Sequence, residues 1–297
     1  MIVISERVHP IALEMLSSYE IYYDPDLYSQ RGALLKVLSR ARGLIVRNKT
    51  QVDAELLAHA PHLKVVGRLG VGLDNIQTDL LSAQGIQLIV PRGANAVSVA
   101  EYVMGMLIAF QRHLLALTQQ VRQGGWVRDM SGLEIDGRTL AVVGYGATGQ
   151  AVAQRAQAFH MRLRVYDPFA QVPQTWATST LEEVLDGADV VSLHVPLTAK
   201  TFHLLNEKTL AILPHHATVI NTARGELIDE SQLLAALTKK HLGGAILDVR
   251  EVEPPKASDE LLGLANVWCT PHIAGLTEDS QIAIARYVAQ GLSGVLG

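Results

Sequence analysis

Short apolar runs alternate with helix-like segments along almost the whole of this chain. The strand-like runs cover residues 2–4, 43–47, 64–68, 87–90, 140–143, 163–166, 190–193, 218–221 and 245–248, and helix-like segments cover 34–41, 54–59, 79–84 and 150–159. Continuously apolar strands separated by helices are typical of a parallel sheet that is covered on both faces. The pattern therefore predicts an α/β protein built from doubly wound parallel sheets.

The length of the chain and its longest helix candidate predict two domains. At roughly 150 residues per domain, the 297 residues correspond to two domains. The longest candidate, 98–121, begins with capping-box spacing between Ser98 and Glu101 and ends before Gly124. We expect residues 1–95 to form a smaller, flavodoxin-like domain, to which a helix at 277–297 returns, and residues 96–276 to form a Rossmann-type domain.

Composition excludes several classes of protein. Hydrophobic residues make up 48% of the chain, which excludes disorder, and 25 basic against 29 acidic residues give no basic excess for nucleic acid or an anionic membrane. The apolar stretch 102–110 is far shorter than the ~20 residues that span a bilayer. The single cysteine, Cys269, fits a reducing compartment. We expect a cytoplasmic protein with neither a nucleic-acid nor a membrane partner.

A glycine motif follows the apolar run 140–143. Gly144, Gly146 and Gly149 form a G-x-G-x-x-G pattern, and Asp167 closes the next apolar run eighteen positions after Gly149. In this context the helix N-terminus meets a pyrophosphate and the carboxylate accepts hydrogen bonds from a ribose. A carboxylate also repels a 2′-phosphate, so the sequence favours NAD over NADP. The alternative is a glycine turn without a ligand; the predicted cofactor loop is Gly144, Tyr145, Gly146, Ala147, Thr148 and Gly149.

Six blocks in a fixed order carry a family resemblance. They are 66–75 (VGRLGVGLDN), 144–149 (GYGATG), 192–198 (SLHVPLT), 221–225 (NTARG), 248–254 (DVREVEP) and 270–275 (TPHIAG). With these blocks the chain resembles the D-isomer-specific 2-hydroxyacid dehydrogenases, in particular their phosphoglycerate-dehydrogenase-like branch. The resemblance implies hydride transfer between NAD and a small 2-hydroxy or 2-oxo acid, with no metal.

Three residues suit that chemistry. Oxidation of a hydroxy acid needs a proton acceptor at the hydroxyl, which an imidazole such as His272 supplies near neutral pH. The carboxylate of Glu253 would orient that ring, and the forked donors of Arg224 match a substrate carboxylate. The family's arginine, glutamate and histidine fall on these positions. Taken singly, each has an ordinary interpretation as a surface charge or a structural histidine.

The resemblance also assigns binding residues. The substrate carboxylate is expected at the loop Gly70, Val71 and Gly72, and a second, distal anionic group of the substrate at Arg47 and Arg68. His194 and Pro196 match a cofactor-side loop, Thr222 lies in the NTARG block, and Asp248 matches an aspartate near the nicotinamide carboxamide. The alternative interpretation of the cations is a set of solvated surface charges.

The substrate and the assembly follow from the same resemblance. A second anionic group makes the substrate 3-phosphoglycerate-like, and a glyoxylate/hydroxypyruvate-type reductase is the alternative enzyme. The alternative outside enzymes is an NAD-sensing scaffold like the family's transcriptional corepressors. The helix from Ser98 and the segment around Trp126 resemble the family's subunit interface, so we expect a homodimer.

Overall fold

The computed structural model describes residues 1–297, which form two compact units. The first unit comprises Met1–Asn95 and Leu276–Gly297, and the second comprises Ala96–Gly275. None of the helices combines the length and the apolar character that crossing a bilayer requires.

The first unit contains five strands and five helices. The strands are β1 (Ile2–Ile4), β2 (Ile21–Tyr23), β3 (Gly43–Val46), β4 (Val65–Arg68) and β5 (Gln87–Ile89). The helices are α1 (Pro10–Met15), α2 (Arg31–Leu38), α3 (Ala54–Ala58), α4 (Thr78–Ala83) and the C-terminal helix (Glu278–Leu296).

The sheet of the first unit is parallel and has the strand order β2-β1-β3-β4-β5. This is the flavodoxin-like order of a doubly wound sheet. One face packs on α2, α3 and α4. On the other face, Ile284, Val288 and Leu292 of the C-terminal helix share a buried cluster with Ile2 and Ile45 of the strands. The apolar strands are thus covered on both faces.

The second unit contains six strands and six helices. The strands are β6 (Thr139–Val143), β7 (Arg162–Tyr166), β8 (Val190–Leu193), β9 (Thr218–Asn221), β10 (Gly244–Leu247) and β11 (Val267–Cys269). The helices are α5 (Ala96–Gln111), α6 (Leu114–Arg122), α7 (Ala147–Ala158), α8 (Leu181–Leu185), α9 (Glu207–Leu210) and α10 (Glu230–Thr238).

The sheet of the second unit is also parallel, in the order β11-β10-β9-β8-β6-β7. A Rossmann sheet has the order 3-2-1-4-5-6. Here the third position is reduced to one parallel bridge, between Val165 of β7 and Ala177. Two buried clusters lie on opposite faces of this sheet. Both sheets confirm the predicted fold class of two doubly wound parallel-sheet domains.

The long helix predicted over 98–121 is wrong as a single element. The chain forms α5 and α6 instead, because His113 has a φ of 54°, a left-handed conformation that an α-helix does not continue. The capping box is also wrong, since α5 begins at Ala96 and Ser98 lies inside its first turn. No glycine or proline marks the break in the sequence, so periodicity alone did not reveal it.

Two strands are absent from the prediction, β2 and β11. Each has three residues and forms one edge of its sheet. In β2, Tyr22 and Tyr23 are exposed, so the run lacks the continuous burial of the central strands. Short edge strands carry a weak sequence signal because only one neighbour and part of one face constrain them.

Candidate active site

The three predicted catalytic residues follow three neighbouring strands of the second unit. Arg224 comes after β9, Glu253 after β10 and His272 after β11, and these strands lie side by side. Because parallel strands end at the same edge of a sheet, their following loops meet there, where α/β proteins bind ligands. The topology therefore brings the three loops to one edge.

His272 and Glu253 form a hydrogen-bonded pair. The ring Nδ1 of His272 lies 2.9 Å from Oε2 of Glu253, and the side chains are 51% and 40% exposed. The second carboxylate oxygen, Oε1, accepts a hydrogen bond of 3.1 Å from the backbone N–H of Arg250. An ionised carboxylate only accepts hydrogen bonds, so Nδ1 carries the hydrogen and Nε2 keeps its lone pair. The pair thus presents a proton-accepting nitrogen toward solvent.

The loop around His272 is held by Asp248. This carboxylate is 1% exposed and accepts hydrogen bonds from the Thr270 hydroxyl (2.6 Å) and from the backbone N–H groups of Ile273 (2.8 Å) and Ala274 (2.7 Å). His272 itself has a φ of 57°, and its N–H donates to the Asp248 and Thr270 carbonyls. The sequence predicted Asp248 only as a neighbour of the nicotinamide. In the structure its carboxylate also holds the loop 270–274 that carries His272.

Tyr102 extends this hydrogen-bonded chain into helix α5. Its hydroxyl lies at hydrogen-bonding distance from the Thr270 hydroxyl. Burial raises the pKa of Tyr102 to about 12, against the opposing hydrogen bond from Thr270. Tyr102 is 168 residues away from Thr270 in the chain. Sequence reasoning missed both residues, since no local pattern relates positions that far apart.

Arg224 sits on a turn that Asn221 shapes. The amide Nδ2 of Asn221 donates to the Arg224 carbonyl (2.7 Å), and Oδ1 accepts from the Ala223 N–H (3.0 Å). The guanidinium of Arg224 is partly buried, and its Nη1 donates to the Ala223 carbonyl at 2.6 Å. A planar guanidinium has a forked set of donors that matches the geometry of a carboxylate.

The predicted glycine loop has the shape that a pyrophosphate requires. Gly144 has a φ of 97°, and a Cβ there would lie 2.6 Å from the His194 carbonyl. A Cβ at Gly149 would meet the Gly144 carbonyl oxygen at 2.0 Å, so the helix packs directly on the turn. At Gly146, by contrast, a Cβ would meet nothing within 4 Å, and α7 begins at the next residue, Ala147. Open space over a helix N-terminus suits a dinucleotide phosphate.

Asp167 lies at the end of β7, next to the glycine loop. Its carboxylate accepts from the backbone N–H groups of Tyr145 (2.7 Å), Phe169 (2.8 Å) and Ala170 (3.0 Å). Burial acts to raise the pKa of Asp167, but these three donors outweigh it and lower the pKa below its usual value. Asp167 is therefore an anion at neutral pH, as discrimination against a 2′-phosphate requires.

His194 and Pro196 follow β8, beside the glycine loop. The His194 N–H donates to the Val143 carbonyl (2.7 Å), and its Nε2 lies 2.9 Å from the Ser192 hydroxyl. Burial lowers the pKa of His194 to about 4, so the ring is neutral at neutral pH and supplies no charge to a phosphate. Pro196 is exposed, and its carbonyl accepts from the Thr201 hydroxyl (2.7 Å).

The buried hydroxyl of Thr222, like the glycine loop, suits a bound cofactor. It follows β9, and its hydroxyl is buried without a hydrogen-bond partner. A buried unsatisfied hydroxyl costs about 1–3 kcal/mol, so an ordered partner at this strand end would be stabilising. Together with the glycine loop, Asp167 and the neutral His194, this group fits a dinucleotide at the predicted residues.

A buried charged cluster lies behind the Glu253 loop, and sequence reasoning missed it. Arg250 is bound by Glu230 through two bonds (Nε–Oε1 2.7 Å, Nη2–Oε2 2.9 Å) and by Asp259 (2.8 Å). Burial opposes the charge of Arg250, but the two carboxylates raise its pKa above the usual value. Its Nη1 also lies 3.8 Å from the Cys269 sulfur. No local sequence pattern pointed to this cluster, because Glu230 and Asp259 lie 20 and 9 positions away from Arg250.

The predicted substrate-binding residues all belong to the first unit. Arg47 follows β3, Arg68 ends β4, and the loop Gly70, Val71 and Gly72 comes directly after β4. They lie at the carboxyl ends of two neighbouring strands, which brings them to one edge of that sheet. The structure therefore groups the substrate-side residues in one unit and the catalytic and cofactor-side residues in the other.

Comparison with known proteins identifies the family. Residues 104–274 match the model for the D-isomer specific 2-hydroxyacid dehydrogenase, NAD binding domain. The chain belongs to this family. The predicted family and NAD as cofactor are thereby confirmed, and the second unit contains the NAD-binding domain.

Curated relatives of this dehydrogenase differ in their substrates. The chain is 41% identical to an (S)-sulfolactate dehydrogenase of Chromohalobacter salexigens, over 100% of this chain and 98% of that one. It is 38% identical to a D-3-phosphoglycerate dehydrogenase of Methanocaldococcus jannaschii, over 99% of this chain but 57% of that one. It is 35% identical to a hydroxypyruvate reductase of Thermotoga maritima, over 96% of this chain and 95% of that one.

A solved structure supports the same conclusion. The D-lactate dehydrogenase of Aquifex aeolicus, in complex with NAD and lactic acid, superposes with a TM-score of 0.85 and 27% identity, over 99% of this chain and 95% of that chain. These relatives are enzymes, which favours a dehydrogenase over the alternative of an NAD-sensing scaffold. The dehydrogenase is an NAD-dependent oxidoreductase of 2-hydroxy acids.

Proposed function

We propose that this dehydrogenase oxidises a 2-hydroxy acid that carries a second anionic group on C3, such as a sulfonate or a phosphate. The observation that carries the substrate class is Arg47. Its guanidinium is partly buried, yet it makes no hydrogen bond or ion pair within the protein. Burial lowers the pKa of Arg47 although the nearby Glu6 carboxylate opposes this effect, so a ligand anion would stabilise the charged guanidinium.

His272 is the proposed proton acceptor. Bound NAD⁺ supplies the hydride acceptor, so the protein has to take up the proton of the substrate hydroxyl. Nε2 of His272 faces away from Glu253 and has the free lone pair for that task. The resulting imidazolium is stabilised by the Glu253 carboxylate through the Nδ1 hydrogen bond. In the reverse direction the same nitrogen returns the proton to the forming hydroxyl.

Arg224 is the proposed partner of the substrate carboxylate. Its guanidinium lies on the loop after β9, next to the loop that carries Glu253. A cation near the reacting carbon also stabilises negative charge that develops on the substrate oxygen. The loop Gly70–Gly72 of the first unit remains a predicted site for the same carboxylate through its backbone N–H groups.

The stereochemistry of the sulfonate fits the D-isomer family. In lactate the carboxyl group outranks the methyl group, whereas in sulfolactate the sulfur-bearing carbon outranks the carboxyl group. The descriptor therefore changes from R to S without any change of arrangement at C2. (S)-Sulfolactate and D-lactate thus present the hydroxyl and the hydrogen in the same way, and one site accommodates both.

A matched panel of substrates tests the proposal. Oxidation by NAD⁺ would be measured for (S)-sulfolactate against D-lactate and for D-3-phosphoglycerate against D-glycerate, since each pair differs only in the C3 anion. We expect a higher kcat/KM for the anionic member of at least one pair. Equal or lower values in both pairs would exclude a second anion as the basis of selectivity.

The hydroxypyruvate reductase remains the second candidate, because the match to the Thermotoga maritima enzyme spans nearly the full length of both chains. An enzyme of this type would reduce hydroxypyruvate efficiently, and a sulfonate or phosphate on C3 of the substrate would not change its kcat/KM. The same panel separates the two enzymes.

We also propose that two copies of the chain pair through α6 and the segment that follows it. No residue of the nine-residue α6 is buried. Leu115, Val121 and Trp126 are 58%, 52% and 78% exposed, and exposed apolar groups of this kind mark association surfaces. A second copy fits because the family resemblance places this segment at a subunit interface. Sedimentation at micromolar concentration should show a dimer, and Trp126→Ser should weaken it.

A further inference from the structure

The loop 270–275, which carries His272, depends on side chains elsewhere in the second unit for its shape. It follows β11, a three-residue edge strand that pairs with β10 alone. His272 itself has a φ of 57°, in the left-handed region that residues other than glycine rarely adopt. Such a conformation persists where the surrounding contacts hold it in place. The position of the His272 ring is therefore set by the groups that bind this loop.

The hydrogen bonds between Tyr102, Thr270 and Asp248 have a fixed direction. Thr270 donates its single hydroxyl hydrogen to Oδ1 of Asp248 at 2.6 Å. The Thr270 oxygen also lies at hydrogen-bonding distance from the Tyr102 hydroxyl, so Tyr102 is the donor in that bond. Burial, aided by the charge of Asp248, raises the pKa of Tyr102 to about 12 despite the bond with Thr270. The Tyr102 hydroxyl thus keeps its hydrogen at neutral pH.

Helix α5, which carries Tyr102, packs firmly within the second unit. Val103 and Leu107 of α5 share a buried cluster with Val152 and Ala156 of α7, and the Tyr102 ring packs against the same cluster. Helix α7 begins directly after the glycine loop that is the predicted site of the pyrophosphate. Tyr102 therefore connects the loop of the histidine to a helix that packs on the cofactor helix.

A comparable bond lies at the other end of α5. Gln111 is the last residue of the helix, and its Nε2 donates to the Thr218 hydroxyl at 3.0 Å. Thr218 is 1% exposed and begins β9, so it lies at the opposite end of that strand from Arg224. Both bonds join α5 to side chains of the same unit, but the bond of Tyr102 is the one that reaches the loop of His272.

We infer that Tyr102 is a positioning residue for the proton acceptor. Its hydroxyl, acting through Thr270 and Asp248, fixes the loop of His272 against helix α5. The inference rests on the proposed function, in which His272 takes up the proton of the substrate hydroxyl. Hydride and proton leave neighbouring atoms of the substrate, so the ring nitrogen has to be held in a fixed place relative to the bound cofactor.

The kinetic test uses Tyr102→Phe, which keeps the ring in its cluster and removes the hydroxyl. We expect kcat to fall about 3- to 10-fold, the effect of one neutral hydrogen bond, both for oxidation of (S)-sulfolactate and for reduction of hydroxypyruvate. The dissociation constant of NADH, measured by fluorescence, should stay within about twofold, because the glycine loop and Asp167 are unchanged.

Thr218→Val is the matched control, since it removes a hydroxyl bonded to the other end of the same helix. Its urea midpoint should fall about as much as that of Tyr102→Phe, while its kcat should stay within about twofold of wild type. A merely structural role of Tyr102 predicts the same kinetics for both variants.

Two further measurements test the route through Thr270. Hydrogen exchange of a peptide spanning 270–276, read by mass spectrometry, should accelerate about 3- to 10-fold in Tyr102→Phe and stay unchanged in Thr218→Val. Thr270→Val should lower kcat by itself, and adding Tyr102→Phe to it should change kcat by less than about twofold, because the bond is already lost. Thr270→Ser keeps a hydroxyl and should lose less activity than Thr270→Val.

The outcomes separate the inference from the proposed function. If Tyr102→Phe keeps its kcat, or if its kcat falls no further than that of Thr218→Val, Tyr102 has no positioning role. Additive losses in the Tyr102→Phe, Thr270→Val double variant would also overturn the inference, while His272→Ala without turnover would leave the proposed function standing. If His272→Ala keeps near-normal turnover, the proposed role of His272 is wrong and the inference is overturned with it.

Discussion

The Arg250 guanidinium donates hydrogen bonds to both carboxylate oxygens of Glu230, and its side chain is only 3% exposed. The same arginine donates its backbone N–H to Glu253, the partner of His272. A buried, doubly bonded ion pair thus lies directly behind the catalytic carboxylate. Such a pair contributes little over an apolar replacement, but removal of one partner leaves the other charge uncompensated.

Breaking this pair should destabilise the protein strongly. Arg250→Met leaves the carboxylates of Glu230 and Asp259 without their cation and should lower the free energy of unfolding by about 3–5 kcal/mol. Denaturation by urea measures this change. Arg40→Ala is the matched control at an exposed pair with Glu20, where the cost should stay below about 1 kcal/mol. Equal losses of unfolding free energy in the two variants would contradict the expectation that the buried pair is the more costly one to break.

The His272–Glu253 pair predicts two different kinetic signatures. His272→Ala should lower kcat about 10²- to 10⁴-fold, the usual contribution of a general base. Glu253→Gln should lower kcat less than His272→Ala does, because the amide oxygen still accepts the Nδ1 hydrogen bond but carries no charge to stabilise the imidazolium that forms during oxidation. Steady-state rates measure both effects. An unchanged kcat in the Glu253 variant would separate this residue from proton transfer.

Thr222→Val should act in opposite directions on binding and stability. If the buried hydroxyl bonds the cofactor, NADH binding should weaken about 3- to 10-fold. The free energy of unfolding without cofactor should stay constant or rise by up to about 1 kcal/mol, since the valine removes an unsatisfied polar group. Thr209→Val is the control, because the Thr209 hydroxyl is bonded to the Leu204 carbonyl. It should cost stability and leave NADH binding unaffected.

Asp167 should govern the choice between NAD and NADP. Asp167→Asn removes the charge and keeps one acceptor oxygen, which can serve either the Tyr145 N–H or the N–H groups of Phe169 and Ala170. We expect the preference for NAD over NADP to narrow by about tenfold or more, because the repulsion of a 2′-phosphate is lost. Fluorescence titration with NADH and NADPH measures the preference. A wild-type enzyme that binds NADPH more tightly would refute the assignment.

His194 predicts a specific acid sensitivity. Burial lowers its pKa from 6.5 to about 4 in the folded protein, so between these values the unfolded chain binds the extra proton. The free energy of unfolding therefore has its full value above pH 6.5. It decreases by about 2–3 kcal/mol as the pH falls toward 4, because the unfolded chain binds a proton that the folded chain does not. His194→Gln should flatten the pH dependence of the unfolding free energy in this window. A variant that loses stability as steeply as wild type would contradict the shift.

The sequence alone determined the features that depend on short stretches of chain. Apolar runs of three to five residues located nine of the eleven strands. The spacing of Gly144, Gly146 and Gly149 revealed the cofactor loop, because turn geometry and close backbone approach are properties of consecutive residues. The family blocks placed Arg224, Glu253 and His272 after three strands whose order in the sheet was then supplied by the fold.

Tertiary structure decided the contacts between residues that are distant in the chain. Only the folded chain shows that Asp248 clamps the loop at Ala274, that Glu6 binds the amides of 47–50, and that Glu230 neutralises Arg250. It also decided that the Arg68 guanidinium binds the Gly72 and Leu69 carbonyls of its own loop. The physical reason is that a side chain's partner depends on which strand ends adjoin in the sheet, and this order is set by the packing of both faces together.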